Sequence, residues 1–360
     1  MFLRRNFLAT SALSFGTLLL TALPISGFTA DRSPVVASFS ILGDMASRIG
    51  GAHVAVTSLV GPNGDAHMYR PTPTDARAVS ESALLITNGL GFEGWLDRLI
   101  EASDFKGVQV LATQGIKPIA FEDGHEGDHK DHDDHDGHGD EEHADDHDDH
   151  GDEEHADDHD DHGDEEHADD HDDHDAHDHD HDHGANDPHA WQSIDNAILY
   201  VTNIAAALAQ ADPGHADFFA ANRDAYIAEL RSLDAEIHQI IGRIEPENRI
   251  VVTSHDAFQY FGRDYGLTFL APQGLSTESE ASAKDIAALI KQIRADGVKA
   301  IFVENITDTR LLERIADETG AAIGGILYPG ALSDADGPAP TYIDMMRHNA
   351  KTIAEALAQG

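Results

Sequence analysis

Cysteine is absent from all 360 residues. That excludes disulfides, thiolate metal sites and catalytic thiols, and it also excludes a lipid-bearing cysteine tethering the chain to a membrane. Basic residues are scarce, with 23 Lys and Arg against 67 Asp and Glu and a formal charge of −44. No basic patch is on offer for phosphate, so nucleic acid is excluded as a partner. Long apolar runs are also missing, apart from the uncharged, mostly apolar stretch from Ala9 to Ala30 that follows Arg4-Arg5. A basic start before such a run reads as a secretory signal over residues 1–30. The mature chain is then expected to be a soluble periplasmic protein cleaved near residue 30. Arg4-Arg5-Asn6-Phe7-Leu8 is compatible with either the general secretory or the twin-arginine route.

What is present is unevenly placed. From Glu122 to Asp187 there are 34 acidic residues against Lys130 alone, so this segment carries −33 and the rest of the chain −11. It also holds 18 of the 25 histidines, and a twelve-residue unit beginning His-Gly-Asp-Glu-Glu-His recurs at His138, His150 and His162. A stretch without apolar side chains cannot offset the entropy of ordering itself, so a disordered His/Asp/Glu-rich loop is expected over 122–186. Many weak imidazole ligands at high local concentration suit a zinc scavenger or buffer, auxiliary to any tight site.

Outside that segment, short apolar runs alternate with helical periodicity. Strands are expected at 35–41, 54–60, 83–87 and 108–111, with helices at 42–49, 74–80 and 95–102 between them; helix 195–210 follows the insert. A longer helical run starts at Pro213, and its apolar positions Phe218, Ala221, Ala225, Ile227, Leu230, Leu233, Ile237 and Ile240 keep an approximate helical spacing. Alternation resumes with strands at 250–253, 268–270, 300–303 and near 323–327, and with helices at 257–265, 283–295, 310–319 and 342–357. Such alternation implies parallel sheets flanked by helices. The fold expected is α/β: an N-terminal lobe over 34–212 containing the insert, a linker helix over 213–245, and a C-terminal lobe over 249–360.

Seven histidines lie outside the insert. His53, His215, His238 and His348 sit in a turn or on helices and are given no role. His67, His189 and His255 occupy loops beside predicted strand or helix ends, where open α/β sheets gather ligands. Neutral imidazoles suit a borderline cation such as zinc, whereas manganese favours more oxygen donors. Taken singly, a loop histidine is more often merely solvated or hydrogen-bonded.

Several motifs sharpen that reading. Gly61-Pro62-Asn63-Gly64-Asp65-Ala66-His67-Met68-Tyr69-Arg70-Pro71, Asn88-Gly89-Leu90-Gly91-Phe92-Glu93-Gly94-Trp95, Asp187-Pro188-His189-Ala190-Trp191 and His255-Asp256-Ala257-Phe258 run in order from about Val35 to the C-terminus, ending with Thr341-Tyr342 and Met345-Met346. Together they resemble the zinc and manganese solute-binding proteins of bacterial ABC importers. The resemblance implies two lobes joined by one long rigid helix, a metal held in the interlobe cleft by His67, His189 and His255, and a monomer that delivers zinc to a membrane permease with its ATPase. The manganese branch tends to carry a carboxylate at the position of His255, so zinc is the expected cargo. A manganese importer subunit and a free-standing periplasmic zinc buffer or chaperone are the alternatives. Gly330 stands where the family often has a fourth ligand, an Asp, which leaves that position to water, to Asp334 or Asp336, or to the insert. An open three-histidine site also resembles a catalytic zinc centre, but no His-Glu-x-x-His pair or obvious general base accompanies it, and no enzyme activity is expected.

Overall fold

The computed structural model describes residues 32–120 and 186–358. The secretory signal and all but the last residue of the expected 122–186 loop lie outside the described residues, as do all three repeats.

In the first lobe, strands β1 (Ser33–Phe39), β2 (Val54–Val60), β3 (Leu84–Thr87) and β4 (Val108–Leu111) form one sheet in the order β2-β1-β3-β4, with every pairing parallel. Helices α1 (Ser40–Gly50), α2 (Pro73–Glu81) and α3 (Leu96–Ser103) make the crossovers, and α4 (Ile194–Ala211) follows β4 after the insert. β1 and β3 are central, and Val35–Phe39 and Leu84–Thr87 are buried throughout, which is why both read as uncharged, mostly apolar runs. Local chemistry sets several helix starts. Thr72 and Asp75 close a reciprocal capping box around Pro73 in the first turn of α2, and the Ser193 hydroxyl accepts from the Asn196 N–H to start α4.

The second lobe repeats the plan. β5 (Ile250–Val252), β6 (Thr268–Leu270), β7 (Ala300–Glu304) and β8 (Ala322–Leu327) lie in the order β6-β5-β7-β8, again all parallel, with α6 (Gln259–Tyr265), α7 (Ala283–Asp296) and α8 (Arg310–Thr319) between them. In each sheet the chain first moves to one side of the starting strand and then to the other. That reversal opens a crevice at the carboxyl ends of β1 and β3 and of β5 and β7.

The long helix α5 spans Ala216–Ile241, preceded by a separate 3-10 turn at Pro213–His215. It is therefore shorter than the continuous run read from Pro213, because His215 takes φ −117° and interrupts the α-helix. Its buried face shares Leu230, Leu233 and Ile237 with the apolar positions that keep helical spacing and departs from them elsewhere. Phe219, Tyr226, Leu230, Leu233, Ile237 and Ile241 are buried, whereas Phe218 is 38% exposed. The reason is that α5 has different neighbours along its length. Near its start, Asn222 donates to the Ile49 carbonyl of α1 and Arg48 pairs with Glu229; near its end, Tyr265 of α6 donates to Asp234 and Arg347 of α9 (Tyr342–Ala358) pairs with Glu236. One apolar core runs from the first sheet through α4, α5 and α9 into the second lobe. The two lobes are thereby fixed against a common helical spine.

Candidate metal centre

His67 lies in the loop after β2, His189 at the entrance to α4, and His255 three residues beyond β5. Their rings meet where the two lobes face each other. Ligand atoms from all three lie within 4.8 Å of one another, and the His67 and His189 Nε2 atoms are 3.3 Å apart. Among the described residues this is the only such group of histidine and carboxylate side chains. Two nitrogens bound to one tetrahedral zinc at about 2.0–2.1 Å would be about 3.3–3.4 Å apart. The observed spacing fits that edge. Ring centroids of His255 lie 5.6 Å from His67 and 5.2 Å from His189, so the third ring closes the set.

Carboxylates behind two rings set their tautomers. Asp187 Oδ1 is 2.9 Å from His189 Nδ1 and also accepts the His189 backbone N–H; Glu304 Oε2 is 2.6 Å from His255 Nδ1, while its Oε1 accepts the backbone N–H groups of Ser254 and His255. With Nδ1–H donated to a carboxylate, the Nε2 lone pair faces inward in both rings. His255 Nε2 is buried with no hydrogen-bond partner among the described residues, an orphaned acceptor that a cation satisfies. His67 is positioned through its backbone, whose N–H donates to Asp65 Oδ1.

The surroundings are dry. Phe92 packs edge-on against His67 at 4.7 Å between centroids, and Trp191 against His189 at 5.3 Å. Burial first, and then the neighbouring histidines, hold His67 and His189 well below the ordinary imidazole range. Burial also opposes charge on His255, but the Glu304 carboxylate outweighs it and pushes that ring upward. Two rings thus stay neutral, while Glu304 holds the Nδ1 proton of the third and leaves its Nε2 for a metal.

The structure brings together all three histidines picked out in the sequence. Among the described residues it does not bring in a carboxylate as fourth ligand. Asp334 accepts from Asn63 Nδ2 at 3.0 Å and is exposed, and neither it nor Asp336 belongs to the cluster. A Cβ built on Gly330 would lie 3.7 Å from the Trp191 ring and 4.0 Å from that of Phe92, so this position borders the aromatic wall of the site. Sequence reasoning missed the supporting acids. Two of them carried a signal: Asp65-Ala66-His67 and Asp187-Pro188-His189 share one spacing, an aspartate accepting the N–H of the residue two further on. Glu304 is a lone charge ending an otherwise apolar strand, Ala300-Ile301-Phe302-Val303.

The lobes also grip each other around the site. Asn63 N–H donates to the Leu332 carbonyl at 2.8 Å, Thr277 Oγ1 to Asp65 Oδ2 at 2.6 Å, and Trp191 Nε1 to the Pro329 carbonyl at 2.8 Å.

Comparison with known proteins agrees with this geometry. The family model for ZnuA, the periplasmic zinc-uptake complex component A, matches residues 35–356. The iron-binding protein YfeA of Yersinia pestis is 28% identical over 92% of this chain and 88% of its own, and the manganese-binding lipoprotein MntA of Bacillus subtilis is 29% identical over 96% and 98%. Among solved structures, the periplasmic zinc-binding protein TroA from Treponema pallidum superposes with a TM-score of 0.71 at 25% identity, covering 91% of this chain and 99% of its own. A manganese-bound periplasmic metal-binding protein from Candidatus Liberibacter asiaticus gives 0.68 at 27% identity, over 91% and 100%. The chain therefore belongs to the zinc-uptake complex component A family, the periplasmic solute-binding proteins that bind metal ions for ABC importers, and is a transport protein, not an enzyme.

Proposed function

We propose that His67, His189 and His255 ligate one divalent transition metal through Nε2, and that the chain captures this ion in the periplasm and passes it to an ABC permease. The observation that carries this reading is the convergence of three buried imidazoles, two of them backed by carboxylates that turn the Nε2 lone pairs toward a common point. Zinc is the cargo that an all-nitrogen donor set suits best, with water or a group from the 122–186 loop as fourth ligand. Manganese is the second reading, and two of the similar proteins, MntA and PsaA, are named for it, whereas YfeA is called iron-binding. A competition titration of zinc against manganese separates the two. The donor set leads us to expect zinc to displace manganese from a single tight site, with and without residues 123–183. If manganese holds that site against equimolar zinc, the cargo assignment is wrong; if the tight site vanishes with the deletion, the loop is more than an auxiliary scavenger. Unimpaired metal import in cells lacking the gene would instead favour a free-standing buffer.

Acid should weaken capture. The raised group, His255, is protonated first as pH falls and competes with the metal, whereas His67 and His189 stay neutral to lower pH. Below the His255 titration, affinity is expected to drop by about tenfold per pH unit, and more steeply once a second ring charges. Chelator competition between about pH 5 and 8 reads this directly. A flat profile would exclude imidazole ligands.

A further inference from the structure

Glu93 is a buried carboxylate that belongs to neither the histidine cluster nor any ion pair among the described residues. It accepts from Ser38 Oγ at 2.6 Å, from the Asn88 N–H at 2.7 Å and from the Gly89 N–H at 3.1 Å. These bonds close the turn that follows β3 and tie it to the end of β1. The turn is strained: Gly89, Leu90 and Gly91 have φ of 84°, 57° and 77° in succession, and a leucine held at positive φ costs energy that its surroundings must supply.

From this turn three contacts reach the loops that carry the first lobe's histidines. Asn88 Nδ2 donates to the Pro188 carbonyl, immediately before His189, at 3.0 Å. Trp95 Nε1 donates to the Ala66 carbonyl, immediately before His67, at 2.8 Å. Phe92 lies against the His67 ring. The second lobe has a counterpart. Glu304 ends β7, the strand that corresponds to β3 in the shared sheet order, and it accepts from the backbone N–H groups of Ser254 and His255 beyond β5. There the carboxylate touches the histidine directly; in the first lobe it acts through a turn.

We propose that Glu93 is a positioning residue for the metal centre, organising His67 and His189 through the Asn88–Trp95 turn as Glu304 organises His255. This inference rests on the three-histidine reading. The test uses the full mature chain given no more than one metal equivalent. Zinc affinity by chelator competition, the visible spectrum of the cobalt-substituted protein and thermal unfolding of the metal-free form are compared for wild type, Glu93→Gln, Asn88→Ala and the variant carrying both.

Each variant should weaken zinc binding by about 10- to 100-fold, the usual effect of removing a group that orients ligands. Each should also shift the cobalt bands, and the double variant should lose little more than either single one. Zinc affinity within threefold of wild type with unchanged cobalt bands would overturn the proposal. A loss of thermal stability with an unaltered cobalt spectrum would do the same, since a purely structural role predicts it. Should Glu93→Gln fail to fold, Asn88→Ala carries the same test, because it keeps the carboxylate while cutting the links from the turn to Pro188, Gly89 and the Tyr200 hydroxyl. A wild-type chain without tight zinc binding would sink the three-histidine reading itself, whereas tight binding indifferent to both substitutions sinks only this inference.

Discussion

Replacing His255 with alanine is expected to lower metal affinity by about three orders of magnitude, roughly a third of the apparent 10–16 kcal/mol that structural zinc sites contribute. The loss has two sources. One of three nitrogen donors is gone, and Glu304 is left buried at the end of β7 without the imidazole that it contacts at 2.6 Å. An unpaired buried carboxylate takes up a proton or draws in water, and either response loosens the loop after β5. Chelator competition, with circular dichroism of the metal-free protein to establish that it is folded, checks the result. A reduction of less than tenfold would mean that His255 is not a ligand.

Replacing Trp191 with alanine is expected to cost about 3–5 kcal/mol of stability, the range for truncating a fully buried aromatic. Trp191 is 0% exposed and packs tilted against Phe39 and edge-on against Phe92 and His189. It also joins the lobes: its indole N–H donates to the Pro329 carbonyl, and its own carbonyl accepts from the Tyr342 hydroxyl of α9 at 2.6 Å. Urea unfolding of the metal-free protein measures the loss. Zinc should restore part of it, because an ion that binds only the folded state stabilises that state by mass action. A change under 1 kcal/mol would show that the aromatic wall can collapse around the cavity, and that it is not what holds the site rigid.

How far the sequence revealed this site depends on the distance over which each interaction acts. Strands such as Val35–Phe39 and Ala300–Val303 were legible because both faces are covered and the run is apolar or, at Ser38 alone, small and uncharged. The start of α1 was not, since Ser40 and Ile41 prolong the apolar run of β1 with nothing local to end it. The sheet order β2-β1-β3-β4 left no trace in any single segment, being a property of pairing between distant strands. Apolar spacing showed only part of the buried face of α5 for a related reason: its neighbours change from α1 to α6 and α9 along its length, so no single stripe describes it. The three histidines stood out through their turn settings and motifs. Asp187 was two residues from one of them and could have been noticed. Glu304 contacts a histidine 49 positions away, and only the fold puts them together.

The division of labour among the three rings follows from their surroundings. Two are kept neutral by a dry aromatic wall, and one is held by a carboxylate that favours its proton. A metal ion arriving at this point fills the space toward which the buried Nε2 of His255 is aimed, where it competes with a second proton on that ring. Local acidification, by protonating that Nε2, would favour unloading.

The central claim is that one ion is held by imidazoles from both lobes. Zinc-edge X-ray absorption, on protein lacking residues 123–183 and loaded with a single equivalent, tests it most directly. The account predicts three imidazole nitrogens at about 2.0–2.1 Å. A first shell made of oxygens alone, or one left unchanged when His67, His189 and His255 are all replaced by alanine, would contradict it.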